Sequence, residues 1–350
     1  SSLDVATNTL TISGASAATT GALTKVGAGT LTLSGTNAHT GATTINAGTL
    51  SVATIGDGGV AGNLGAATSA AGNLVLGGGT LQYTGATAST DRAFTLTTGT
   101  TSSLDVATNT LTISGASAAT TGALTKVWAG TLTLSGANAH TGATTINAGT
   151  LAYGTSNVLA TGAVTVDGAT AVLALGASQS DTVGTVTVAN GGSITGTGTS
   201  ALTSTGTFEM QSGSVSAILA GAVALNKTTA GTVTLSGVNT YTGATTLAAG
   251  TLNANASAAL GDGSGTNTLI FTGGTLQAGG TITSPSTRTV TLTSTGIIDT
   301  NSNSVSIAGV MSGAGGLTKN GAGTLTLTGT NTYTGATTLA AGTLNANASA

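Results

Sequence analysis

The sequence predicts an all-β chain: a β-solenoid of short parallel strands wound in coils of roughly 20 residues. Three observations carry this expectation. The block Ser1 to Leu50 returns at Ser102 to Leu151 with two differences, Gly27/Trp128 and Thr36/Ala137. Within each repeat leucine alternates with threonine, the period-two pattern of a half-buried strand. The strand starts GTLTL at Gly29 and GTLSV at Gly48 lie 19 residues apart, close to one coil of such a stack.

Taken in order, Thr30 to Leu33 reads as a strand, and the glycine, asparagine and threonine of Ser34 to Gly41 read as a turn. A short strand at Ala42 to Ile45 leads into the turn Asn46-Ala47-Gly48, and Thr49 to Val52 opens the next strand. Further strand-like pieces begin at Gly79 (GTLQY), Phe94 (FTL), Leu104 (LDV) and Leu111 (LTI). Apolar residues never recur at helical spacing over a useful length, so no helix longer than two turns is expected. Leu31, Leu33, Ile45 and Leu50 and their repeat equivalents are predicted to point inward, with Thr30 and Thr32 outward. Threonine suits the outer face because it is β-branched yet polar toward water.

The repeat occurs four times. The glycine that opens the GT-[LV]-T-L strand falls at Gly29, Gly130, Gly231 and Gly323. Ala230 to Ala258 returns at Ala322 to Ala350 with an offset of 92 residues, and a variant module runs from Tyr153 to Leu225. One continuous solenoid over 1–350 is expected, in units of 1–101, 102–202, 203–294 and 295–350. At about 4.8 Å per coil, some 16 to 17 coils would make a rod roughly 80 Å long. Both ends fall inside repeats, so the chain reads as a window from something longer.

Composition narrows the function classes. Charged residues are 4 % of the chain, against about 25 % in an ordinary soluble domain. Low charge with positive mean hydropathy argues against disorder. The net charge of -3 comes from acids and bases scattered singly, with no basic cluster for nucleic acid. Cysteine is absent, which excludes disulfides and thiolate metal sites and suits export through an oxidising compartment.

The pattern G-A-L-T-K-x-G-A-G-T-L-T-L-S-G-x-N-x-x-T-G-A-T-T-[IL]-x-A-G-T-L closely resembles the autotransporter-associated β-strand repeat, also called the passenger-associated transport repeat. It covers about 30 residues in each copy. Flanking text looks like the same family's longer module: GGTLQ at Gly78 and Gly273, then Arg92 or Arg288, then GIIDTNSNSV at Gly296. The resemblance implies a right-handed parallel β-helix, export by a type V route from a Gram-negative cell, and a structural or adhesive role. The departures are Thr228-Thr229 in the third copy, Trp128 in the second, and the variant module.

Candidate chemistry is sparse. His39 and His140 sit in N-A-H-T-G, and Tyr241 and Tyr333 fill the same slot in N-T-Y-T-G. A position that accepts either ring reads as turn packing rather than as a metal ligand or a general base. Asp57 and Asp262 lie in GDG turns without the repeated aspartates of a calcium-binding roll. Asp4, Asp105 and Asp299 fall at matching places and read as turn caps. Lys25, Lys126, Lys227 and Lys319 mark one repeated position and read as a solvated strand end. Trp128 replaces a glycine in a near-identical copy, so it is either a surface contact or a neutral substitution. No catalytic set, no cofactor site and no metal site is assigned. The chain is therefore expected to be a non-catalytic structural and adhesive stalk, extracellular and either tethered to the outer membrane or released. Its partners would be host or neighbouring-cell surfaces or extracellular matrix, with no nucleic acid and no membrane insertion. The alternative is a self-assembling extracellular filament, and T-x-T ladders binding ice or carbohydrate are a third reading.

Overall fold

The structure, a computed structural model, describes residues 1–346 and divides into two compact units, Ser1–Thr182 and Val183–Ala350. The last four residues of the 295–350 unit lie outside the described residues. Each unit is a parallel β-solenoid. Among the described residues the only helical pieces are the 3-10 turns Ala71–Asn73 and Ser257–Leu260. Among the described residues no helix is long and apolar enough to cross a membrane.

In the first unit, Thr9–Ile12, Thr30–Leu33, Thr49–Val52, Thr80–Tyr83, Thr101–Val106, Ala123–Lys126, Thr144–Ile146 and Val164–Asp167 lie side by side, every neighbouring pair parallel. A second run holds Ser2–Asp4, Leu23–Val26, Thr43–Ile45, Leu74–Leu76 and Thr95–Leu96. A third holds Ala88–Thr90, Thr110–Ile113, Thr131–Leu134, Gly149–Tyr153 and Ala171–Ala177. Register keeps like over like. Leu10, Leu31, Leu50, Leu81 and Leu104 form one apolar file. Beside it on the outer face runs the file Thr9, Thr30, Thr49, Thr80 and Ser103. A slip of one residue would exchange the two files, so burial of the leucines fixes the register.

Coil length is less regular than the 19-residue spacing implies. Thr9 pairs with Thr30, 21 residues on, whereas Thr49 pairs with Thr80, 31 residues on. The extra residues form a loop that contains the turn Ala71–Asn73, and the ladder resumes in register beyond it. Closing a longer loop costs little when the strands on either side are unchanged.

In the second unit one run holds Val186–Ala189, Phe208–Met210, Leu225–Lys227, Thr245–Leu247, Leu269–Phe271, Val290–Leu292 and Met311–Ser312. Another holds Gly192–Thr197, Gly213–Val215, Thr232–Leu235, Thr251–Ala254, Thr275–Ala278, Gly296–Asp299, Leu317–Asn320 and Thr337–Leu339. A third holds Ile282–Ser284, Ser304–Ile307, Thr324–Leu327 and Thr343–Ala346.

The predicted core is the observed one. Leu31, Ile45 and Leu50 are fully buried, and Leu33 is 3 % exposed. Their equivalents Leu132, Leu134, Ile146 and Leu151, and then Val233, Leu235, Leu247 and Leu252, are equally buried. Thr30 and Thr32 face outward, half-exposed. Leu339 differs: it is the equivalent of Ile45, yet 51 % exposed, because no described coil stacks on its strand. Glycine is required at the corner Ala47-Gly48, where φ is +61° and an added Cβ would run into the carbonyl of Gly29 on the preceding coil.

Candidate functional site

The four lysines require a correction. Read from sequence as solvated strand ends, Lys25, Lys126, Lys227 and Lys319 are all fully buried. Each lies in the last two residues of its strand on the inward side, and its ammonium reaches the corner of the coil. Lys25 Nζ donates to the carbonyls of Val26 (2.8 Å) and Gly27 (2.6 Å) on its own corner and of Ala47 (3.1 Å) on the next. Lys126 repeats this with Val127, Trp128 and Ala148, and Lys319 with Asn320, Gly321 and Ala341. Lys227 holds Thr229 and Ala249. The carbonyls of Val26 and Asn320 also accept from the N–H groups of Val5 and Thr300, but those of Gly27 and Ala47 and their equivalents lie outside the strands, and an ammonium with three donors satisfies several carbonyls together. Burial lowers the affinity of all four for a proton, with Lys126 pushed down to about 8.

On the opposite side of the coil, the turn read as generic contains a buried asparagine clamp. Asn37 accepts from the N–H of Ser16 on the preceding coil (3.1 Å) and donates to the carbonyl of Asn63 on the next (3.0 Å). Asn138 does the same with Ser117 and Val158, and Asn239 with Leu219 and Ala259. Asn331 accepts from the N–H of Met311. One amide thus ties three successive coils. The sequence signal was the invariance of this asparagine across all four copies while its neighbours vary.

The His/Tyr slot has a shared partner. His39 Nε2 lies 3.3 Å from Thr43 Oγ1, and His140 Nε2 lies 3.2 Å from Thr144 Oγ1. The tyrosine hydroxyls of Tyr241 and Tyr333 lie 2.7 Å from Thr245 and Thr337. Either ring can span the same turn to the same threonine, four residues on. Burial holds both imidazoles below the ordinary histidine value, and the nearby Arg92 charge adds to this at His39. The unfolded chain therefore takes up protons first as pH falls below about 6.5, and each buried histidine costs at most about 1.4 kcal/mol of stability per pH unit. His140→Tyr should leave the melting temperature at pH 7 nearly unchanged and flatten its decline between pH 6.5 and 5. Thermal melts of both chains at pH 7, 6 and 5 check this; parallel declines would contradict it.

Two arginines pin the long loops. Arg92, 4 % exposed, donates from Nε to Gly56 O (2.8 Å), from Nη1 to Ala67 O (3.1 Å) and from Nη2 to Asp57, Val60 and Gly65 carbonyls. Arg288, 1 % exposed, holds Ser257, Gly261 and Asn267 in the second unit. The exposed Asp57 and Asp262 brace these loops: Asp57 accepts from the N–H of Asp91, and Asp262 from the N–H and hydroxyl of Ser264.

Two of the three matched aspartates, Asp105 and Asp299, pair with glutamines one coil back. Gln82 Nε2 donates to Asp105 Oδ2 (3.2 Å), and Gln277 Nε2 donates to Asp299 Oδ2 (2.9 Å). Asp299 also accepts from the N–H of Asn301 (2.8 Å), so there the expected turn cap is present. Trp128 is 57 % exposed and holds a left-handed φ of +65° where the first and fourth copies have glycine. All six lysines and arginines are thus inside, and exposed charge comes from acids such as Asp4, Asp57, Asp91 and Asp262. Among the described residues no group of three histidines, cysteines or acids is placed to hold a metal. The outer face offers hydroxyl files and amides, which can make hydrogen-bonded contact.

Comparison with known proteins adds an independent line. Residues 23–52, 124–152, 225–254 and 317–346 match the passenger-associated-transport-repeat family. The chain is 51 % identical over 127 residues to the adhesin BmaC autotransporter of Brucella suis biovar 1 (strain 1330), which covers 35 % of the chain and 4 % of that protein. The chain therefore spans a small fraction of the curated relative it matches. No solved structure matches. Each matched stretch contains one lysine corner, one asparagine clamp and one His/Tyr slot, so the sequence motif and the clamps coincide. This chain carries four passenger-associated transport repeats, set in parallel β-solenoid coils.

Proposed function

We propose that the chain is a non-catalytic, adhesive stalk segment of a surface-displayed or secreted bacterial passenger region. The observation that carries this reading is the coincidence of four passenger-associated transport repeats with 51 % identity to part of an autotransporter adhesin. On this reading the units 1–101, 102–202, 203–294 and 295–350 are modules of one continuous solenoid with no resident metal, cofactor or catalytic group. Its partners are host or neighbouring-cell surfaces or extracellular matrix, met by a Thr/Ser/Asn-rich face. The cross-coil clamps also support a part in export: each new coil finds carbonyls and N–H groups already presented by the one before, so folding can propagate outside the cell as coils emerge.

The test is display. A non-adherent Gram-negative cell carrying residues 1–350 on an outer-membrane translocator should bind matrix-coated plates and epithelial cells better than the same cell carrying the translocator alone. Equal binding, with the chain shown to be present on the surface, would defeat the adhesive reading.

A further inference from the structure

The second repeat differs from its siblings at one corner, and the difference reaches a carboxylate. Asp4, Asp105 and Asp299 occupy equivalent places. Asp4 shares the flanking sequence SLDVATN with Asp105, faces Gly27, and is exposed. Asp299 lies between two coils, faces Gly321, and is half-buried with both carboxylate oxygens bonded. Asp105 is 1 % exposed; its Oδ2 takes the Gln82 amide, and its Oδ1 has no hydrogen-bond partner.

The glycine slot explains the contrast. A Cβ built on Gly27 would collide with Asp4 Oδ1, and one built on Gly321 would collide with Asp299 Oδ1. In the second repeat that slot holds Trp128, which brings a real Cβ to the same place, with its indole 57 % exposed at the corner. The Asp105 carboxylate must give way beneath it, losing water and leaving Oδ1 without the well-formed bond that Asp299 Oδ1 makes to the Asn301 N–H. We propose that Trp128 and Asp105 form a proton-operated corner: protonated Asp105 lets Trp128 sit closed over it, and ionised Asp105 lifts Trp128 to admit water.

The surrounding groups fit this device. Burial pushes the Asp105 carboxyl up to about 6, against the pull of the Gln82 amide, the Lys126 charge and the Val106 N–H. From the preceding coil, Gln82 is neutral. Tyr83 beside it is buried, bonds the carbonyl of Ala86, and ionises only above its ordinary range. From the following coil the charged neighbour is Lys126, pushed down to about 8 and still cationic near pH 6. Its ammonium is bound to Trp128's own carbonyl at 2.7 Å, so the lysine, the tryptophan and the aspartate move together. The sign follows from the raised value. The folded corner keeps a proton that the unfolded chain has released, so its stabilisation is present in acid and is lost as pH rises from the ordinary aspartate range through about 6.

Trp128 is the one tryptophan in the sequence, so tryptophan emission, excited beyond the tyrosine absorption band, reads this corner alone. In the full chain carrying His39→Tyr and His140→Tyr, to silence the imidazoles, emission should shift red and iodide quenching should rise between pH 4.5 and 7.5. One proton and a midpoint near pH 6 are expected, and Asp105→Asn should abolish the transition. A flat profile in the chain that retains Asp105, or a transition that survives Asp105→Asn, overturns the proposal. A second measurement avoids any folding defect of that variant. Trp128→Gly restores the residue of the first and fourth repeats, and the carboxyl carbon-13 signal of Asp105 should then titrate in the ordinary aspartate range. An unchanged midpoint in Trp128→Gly overturns the proposal as well.

Discussion

Arg92→Ala is expected to destabilise the first unit by about 3 to 5 kcal/mol, the range found when one partner of a buried charged network is removed. The guanidinium bonds five backbone carbonyls, those of Gly56, Asp57, Val60, Gly65 and Ala67, within one long loop. Truncation leaves the carbonyls of Val60 and Gly65 without a donor, and those of Gly56, Asp57 and Ala67 with only their bonds from Thr90, Val60 and Gly59, around a space that the side chain had filled. Each buried carbonyl orphaned in this way costs about 1 to 3 kcal/mol before water enters to repair it. The loop should therefore loosen before the strands on either side of it melt. Urea denaturation followed by circular dichroism gives the loss in stability, and hydrogen exchange should show the loop 53–73 opening first. A midpoint within error of the unaltered chain would mean that the loop is held by something else.

Leu33→Asp should be as damaging by a different route. Leu33 lies in the file Ile12, Leu33, Val52 and Tyr83, with a coil packed on either side. The neighbours in this file are Ile12, Val52 and Tyr83, which offer no cation to an introduced carboxylate, and the buried Lys25 is already committed to carbonyls. The variant must either bury a charge or hold a proton at pH 7, and the cost is several kcal/mol, about 4 or more. Melting should fall sharply at pH 7 and recover in part at pH 4, where the new carboxyl is neutral. A soluble variant with unchanged melting would show that Leu33 does not face the core.

The strand skeleton was legible because its signal is periodic. Leu31 and Leu33 alternate with Thr30 and Thr32, and the alternation fixes both the strand and its inner face. The clamps were less legible for a physical reason. An isolated lysine is almost always solvated, so Lys25 and its equivalents read as strand ends. What overrides that prior is the corner itself, which presents carbonyls outside the strands, such as those of Gly27 and Ala47, and corner geometry does not show in residue identity. Asn37 was read as a turn former, although it spans three coils. The long loop after Val52 was missed as well, because spacing between strand starts gives a typical coil and not the exceptions. His39 and Tyr241 pointed the right way: two rings sharing one slot signalled a packing position before their common threonine partner was seen.

The placement of all six lysines and arginines inside the coils has a consequence for survival outside a cell. A protease of the trypsin type must draw a lysine or arginine, together with several residues of extended backbone, into its own cleft. On the described coils every such side chain is sealed in, and the adjoining backbone is bound into corners and loops. Cleavage then waits for a coil to open, so digestion proceeds at the rate of local unfolding rather than at the rate of encounter. Burying its few cations makes the chain a poor substrate for proteases of this type, while costing the outer face none of its hydroxyls.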